Sequence, residues 1–234
     1  MARMTPPLAP ARLDGRRVLL TQSEVFMGPV LREVLARQGA EVIADPRALD
    51  TPDAAAAVVA EAGPIDALVA HLAVPAPTTP VDAVDEAEWR AVFAHMVDPL
   101  PRLLRAVLPA WRARGGGCFL VMGSASALRG IKRTSSYAAA RGAQLAWVQA
   151  AGAELGASGV QVNAIAQNFV DNPTYFPASL QALPAFQARL AREVPLGRLV
   201  TGEEDAAFAA YLLSDAAACF VGQVFPLSGG WAVR

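Results

Sequence analysis

The stretch Arg17-Val-Leu-Leu-Thr-Gln-Ser-Glu-Val-Phe-Met-Gly-Pro-Val-Leu-Arg-Glu-Val-Leu-Ala-Arg-Gln-Gly-Ala-Glu-Val-Ile-Ala44 holds a strand, a turn, a helix and a second strand in immediate succession. Val18 to Thr21 and Glu41 to Ala44 are short, nearly continuous apolar runs, as strands buried on both faces are. Between them, Val30, Leu31, Val34 and Leu35 recur at helical spacing over 28–38, and Gly39 ends the pattern. Two strands joined by a helix with short connections pair in parallel. The same alternation continues outward, with strands expected at 66–70, 119–122, 160–165 and 224–227. Helices are expected at 53–62, 86–113, 135–156, 180–192 and 203–214, with a bend or break among Pro99, Pro101 and Pro109. The fold class that follows is α/β: one doubly wound domain over 15–234, with a parallel sheet of about seven strands and helices on both faces, after a flexible leader at 1–14. Such sheets bind ligands outside the carboxyl ends of their strands, which directs attention to the loops after Thr21, Met122 and Ile165.

Composition agrees with one soluble, small-molecule domain. The chain has 234 residues, 54% hydrophobic, with 20 basic against 21 acidic residues. Its positive mean hydropathy, +0.32, rests largely on alanine, and charges interrupt every apolar run before membrane-spanning length. A net charge of −1 supplies no long-range field for nucleic acid or anionic lipid, so neither is expected as a partner. The first residues contain no apolar core of signal-peptide length, and the expected location is cytoplasmic. Cys118 and Cys219 both sit in apolar sequence and read as buried free thiols. His71 and His95 lack metal-ligand spacing and read as structural histidines.

The turn after the first strand departs from what a dinucleotide requires. Backbone amides approach a pyrophosphate closely only where glycines remove side chains. Here the turn is Thr21-Gln-Ser-Glu-Val-Phe-Met-Gly28, with one glycine, a carboxylate at Glu24 and a ring at Phe26. Asp45, at the end of the second strand, could mimic a ribose-binding acid, although a strand-end Asp is more often a turn residue.

The fourth strand ends in Val121-Met-Gly-Ser124, and Tyr137 and Arg141 follow in a helix-forming run. Positions four apart share one helix face, so the guanidinium lies beside the phenol. A fixed positive charge there favours phenolate, which makes Tyr137 a candidate base. Ser124, at a central strand end, can reach the same crevice and hold an oxygen by hydrogen bond.

Ser, Tyr and a basic residue four positions on, set between the fourth and fifth strands, resemble the short-chain dehydrogenase/reductase superfamily over nearly the whole chain. That resemblance implies a Rossmann-like fold. Two departures are shared with one offshoot, the halohydrin dehalogenases, which this sequence resembles closely. The reductases' lysine is replaced by Arg141, and the glycine turn is replaced by Thr21, Phe26 and Gly28 at the offshoot's spacing. Lys132 is the chain's only lysine, and a general preference for arginine could explain the first departure but not both. A third stretch, Ala166-Gln-Asn-Phe-Val-Asp-Asn-Pro-Thr-Tyr-Phe-Pro177, resembles the offshoot's nucleophile loop, where reductases usually carry Pro-Gly.

The resemblance implies loss of halide from a vicinal haloalcohol to give an epoxide, with no cofactor and no metal. It assigns Tyr137 as base, Ser124 as oxygen holder and Arg141 as the group keeping Tyr137 reactive. It further implies halide or substrate binding by Phe26, Gln167, Asn168, Phe169, Val170 and Phe176, with epoxide opening by azide, cyanide or nitrite in reverse. Asp171, beside this loop, would repel halide unless turned away, and Trp231 is a candidate for the substrate region or an interface. A homotetramer is expected, with helices 86–113 and 135–156 between subunits. Two alternatives stay open: an atypical NAD(P)-dependent oxidoreductase with Arg141 in place of the lysine, and a catalytically silent binding protein that kept the fold.

Overall fold

The computed structural model describes residues 11–233, so most of the expected leader lies outside the described residues. Six strands form one all-parallel sheet: β1 (Arg17–Thr21), β2 (Glu41–Asp45), β3 (Ala67–Ala70), β4 (Gly117–Ser124), β5 (Val160–Gln167) and β6 (Val224–Leu227). Their order is β2-β1-β3-β4-β5-β6, so the chain reverses direction across the sheet between β1 and β3. The expected "about seven" becomes six among the described residues.

Side chains alternate along each strand, and in β1, β3, β4 and β5 both alternating sets are largely buried. The sheet-edge strands β2 and β6 are only partly covered, which corrects their expected burial on both faces. Leu19, Leu68, Phe119, Val121 and Val162 face a core shared with α2 (Ala54–Ala62), α4 (Pro99–Arg114) and α5 (Ser135–Leu155). Val18, Leu20, Val69, Leu120, Met122 and Ile165 face the opposite core, packed by α1 (Gly28–Arg37) and α8 (Gly202–Leu212). The first turn of α8 is held by a reciprocal capping box between Thr201 and Glu204.

The expected helix 86–113 is two helices, α3 (Glu86–Met96) and α4. The break falls before Pro99, which opens α4 where its missing N–H costs nothing, whereas Pro109 remains inside α4. The expected helix 180–192 likewise divides into α6 (Ala178–Gln181) and α7 (Pro184–Glu193), because Pro184 opens a new helix. Cys118 is buried as expected, and burial pushes its thiol up to about 12. Cys219 is exposed, in the irregular segment before β6, which corrects its expected burial.

α5 positions the catalytic candidates. It buries one face, including Tyr137, Arg141, Leu145, Val148 and Gly152, against the sheet. At Gly152 a Cβ would come within 2.4 Å of the Gly222 backbone, so only glycine lets the helix lie this close. At its other end Glu88 of α3 accepts from Ser136 Oγ at 2.5 Å and Thr79 Oγ1 at 2.6 Å, which fixes the turn carrying Tyr137.

Candidate active site

The three catalytic and six halide- or substrate-binding residues expected from sequence all line one cavity of about 300 Å³ at the carboxyl ends of β1, β3, β4 and β5. Its place is the crevice where the sheet order reverses, as open α/β sheets favour. Ser124 and Gln167 end adjacent strands and are register partners. Strands β4 and β5 therefore run two residues farther than expected, and both site residues stand on sheet ends.

Ser124 Oγ lies 2.9 Å from Ser126 Oγ and accepts from the Ser126 amide at 3.2 Å. Tyr137 is 6% exposed, its ring packed with Val92, Met96 and Ala140. The Arg141 guanidinium carbon sits 5.0 Å from the centre of that ring. Arg141 Nη1 donates to the Met122 and Gln144 oxygens at 2.9 Å and to Leu72 O at 3.2 Å. The arginine thus ties the ends of β3 and β4 to α5 while facing the phenol.

Phe26 adopts φ +49, a left-handed conformation that is uncommon for a bulky residue. Its ring stacks on Tyr175 at 5.5 Å and meets His71 edge-on at 6.3 Å. The Tyr175 hydroxyl donates to Val74 O at 3.1 Å and accepts from the Ala76 amide at 3.0 Å. Burial, reinforced by the neighbouring Tyr137 hydroxyl, holds the Tyr175 phenol above its ordinary range, so it stays protonated. His71 Nδ1 faces Gln22 O at 3.1 Å, and burial lowers this histidine to about 4, leaving it neutral at pH 7. Tyr175 was not singled out from sequence, and His71 was set aside there as structural. Their role comes from the Phe26 ring lying between them, which no local pattern announces.

The loop after β5 holds Phe169 at φ +51. Strain of this kind collects at binding loops. The Asn168 amide is engaged by Leu227 O at 3.0 Å and the Phe169 amide by Asn168 Oδ1 at 2.8 Å. The Val170 and Asn172 amides have no partner among the described residues, and both residues line the cavity, so these are loop donors available to an anion. Phe169 stacks on Phe176 at 5.8 Å and is backed by Trp231, also at 5.8 Å. Trp231 supports the cavity wall from behind and does not line it. Asp171 Oδ1 accepts from Gln181 Nε2 at 2.8 Å and is not a lining residue, which answers where its charge points. Asn172 lines the cavity and accepts from the Tyr175 amide at 2.9 Å.

Gln167 Nε2 donates to Asp205 Oδ2 at 2.5 Å, and Asp205 is fully buried with Oδ1 unpartnered. Burial raises this carboxyl from 3.8 to about 7. Between those values the folded protein keeps a proton that the unfolded chain releases, so Asp205's contribution to stability is lost as pH rises through about 7. His71 acts oppositely, because below 6.5 the unfolded chain takes a proton that the folded site refuses. Asp205→Asn is therefore expected to exceed the parent at pH 8 by about 2–4 kcal/mol and to match it near pH 4. Thermal melts across that range check this, and a pH-independent difference would show that Asp205 does not titrate there.

Among the described residues no cluster of His, Cys, Asp and Glu could hold a metal ion, and no helix is long and apolar enough to cross a membrane.

Residues 15–232 match the family described as enoyl-(acyl carrier protein) reductase. The chain is 31% identical to the 2-keto-3-deoxy-L-fuconate dehydrogenase of Xanthomonas campestris, over 97% of this chain and 83% of that one. A solved structure described as a dehalogenation enzyme superposes with TM-score 0.86 and 35% identity, covering 94% of this chain and 99% of that one. A gluconate 5-dehydrogenase from Burkholderia cenocepacia, solved in complex with NADP and tartrate, superposes with TM-score 0.84 and 26% identity, covering 96% and 98%. A parallel sheet of this order, with the serine on β4 and the tyrosine on α5 and with similarity running from end to end, makes the chain a member of the short-chain dehydrogenase/reductase superfamily.

Proposed function

We propose that this member is a halohydrin dehalogenase, converting vicinal haloalcohols to epoxides with release of halide and a proton. The observation that carries the reading is the Phe26–Tyr175 stack, with His71 at its edge, lining the same cavity as Ser124, Tyr137 and Arg141. The superfamily's usual nicotinamide dinucleotide needs the amides of the first βα turn. Here that turn carries the Phe26 ring, and the Glu24 carboxylate lies 2.8 Å from Arg32. Gly28 serves the turn itself, since a Cβ there would meet the Ser23 backbone at 2.5 Å. Asp45 is paired with Arg47 at 2.5 Å, not free for a ribose. These residues do not fit a dinucleotide, and no step is assigned to one.

In the proposed reaction Tyr137, as phenolate, takes the substrate hydroxyl proton while Ser124 Oγ–H donates to the same oxygen. Ser126 can donate to Ser124 Oγ, leaving the Ser124 proton for the substrate. The oxygen's electron pair then forms the epoxide C–O bond as the adjacent carbon–halogen bond breaks, and halide leaves with that pair. Anti alignment of oxygen and halogen makes positioning the main catalytic contribution. The free Val170 and Asn172 amides and the ring edges around Phe169 and Phe176 suit a large, weakly hydrated anion. The same pocket would admit azide, cyanide or nitrite for epoxide opening. We extend the proposal to a homotetramer, for which α3 offers the half-exposed Trp89 stacked on Phe93 at 4.9 Å.

The dehydrogenase relatives favour a second reading, a nicotinamide-dependent oxidoreductase with Arg141 at the lysine position. One experiment separates the two. Purified protein with 1,3-dichloro-2-propanol and no nicotinamide is expected to release chloride and acid in equal amounts, and NADPH titration to show no saturable binding. A folded protein inert toward chloro- and bromoalcohols, yet saturable by NADPH, would overturn the proposal.

A further inference from the structure

The charged groups lining the cavity are two arginines and no carboxylate. His71 adds no charge, being held neutral by burial. Arg141 lies at the floor, 4% exposed, with Nη1 committed to three oxygens. Arg189, on α7, is different: its side chain is 47% exposed at the cavity rim. Its Nε donates to Glu193 at 3.0 Å, and its guanidinium lies 5.2 Å from the centre of the Phe169 ring. Glu193 is shared with Arg192 at 2.6 Å, so the trio keeps a net positive charge. A ring platform and one carboxylate strut thus orient the guanidinium, while both terminal nitrogens have no partner among the described residues. That free end is the planar fork that matches a carboxylate with two parallel hydrogen bonds.

Ile131, Leu180 and Arg189 line the same cavity as Ser124 and Tyr137, so a substrate whose oxygen rests on that pair has this rim within the same enclosure. Resting on the haloalcohol reading of this cavity, we propose that Arg189 selects substrates bearing a carboxylate: short-chain haloalcohol acids or the corresponding epoxy acids. A carboxylate reaching the rim exchanges water for two charge-assisted bonds, whereas an amide of the same shape offers only one neutral acceptor.

The test compares 4-chloro-3-hydroxybutanoate with 4-chloro-3-hydroxybutanamide by chloride release. The parent is expected to prefer the acid in kcat/KM, and Arg189→Gln to lower the acid-to-amide ratio about ten- to hundredfold, chiefly through KM. Arg189→Lys keeps the charge without the fork and is expected to retain part of the preference. An acid-to-amide ratio near one in the parent, or a ratio unchanged in Arg189→Gln, overturns the proposal while leaving the dehalogenase reading standing. Should neither compound release chloride while 1,3-dichloro-2-propanol does, carboxylate selection is overturned and the dehalogenase reading stands; should all three be inert, that reading fails. Calorimetry with 3-hydroxybutanoate and 3-hydroxybutanamide then decides: an Arg189-dependent preference for the acid sustains carboxylate selection, and equal or absent binding overturns it.

Discussion

Tyr137→Phe is expected to fold normally and to lower halide release by about a thousandfold or more, at the upper range for losing a positioned general base. The substitution removes one oxygen and keeps the ring that packs with Val92, Met96 and Ala140 between α3 and α5. Melting temperature should therefore move by only a few degrees. The nearby Tyr175 does not replace the lost base. Its hydroxyl is committed to Val74 O and the Ala76 amide, and burial keeps it protonated. Chloride-electrode rates with matched thermal melts make the check, and normal turnover by a folded Tyr137→Phe protein would remove the tyrosine from the chemistry.

The strands were legible in the sequence because a parallel sheet covered on both faces needs short, wholly apolar runs. Val18–Leu20 and Phe119–Met122 place alternate residues in two separate cores, and all of them are buried. Helix ends were harder to place, since several prolines stand within 86–113 and a proline can begin a helix as well as end one. Pro99 and Pro184 begin helices, while Pro109 sits within one. Ser124, Tyr137 and Arg141 were legible because a strand end and an i, i+4 interval translate directly into position. Phe26 announced itself by standing where glycine is expected. Tyr175, His71 and Arg189 carried no such mark, because their meaning depends on rings and carbonyls from distant segments. Phe26 makes two of them part of the site, and Phe169 makes the third.

The arginine at position 141 supports the second large effect. Arg141→Met is expected to lower kcat about a hundredfold with little change in KM, and to cost about 2–4 kcal/mol of stability. The stability loss has a specific origin: Met122 O and Leu72 O, at the ends of β4 and β3, lose their buried donor together with Gln144 Oε1. The kcat loss has another, since a cation 5.0 Å from the Tyr137 ring stabilises the negative charge that this phenol must carry. Arg141→Lys separates the two contributions. Lysine keeps the charge, but its stem is one bond shorter, so its ammonium falls short of the place from which Nη1 reaches both strand ends and Gln144. It should recover more of kcat than of stability. If Arg141→Met lost stability but kept kcat, the residue would be a strut between strands and nothing more. If Lys and Met were equally slow, geometry and not charge would be what the tyrosine needs.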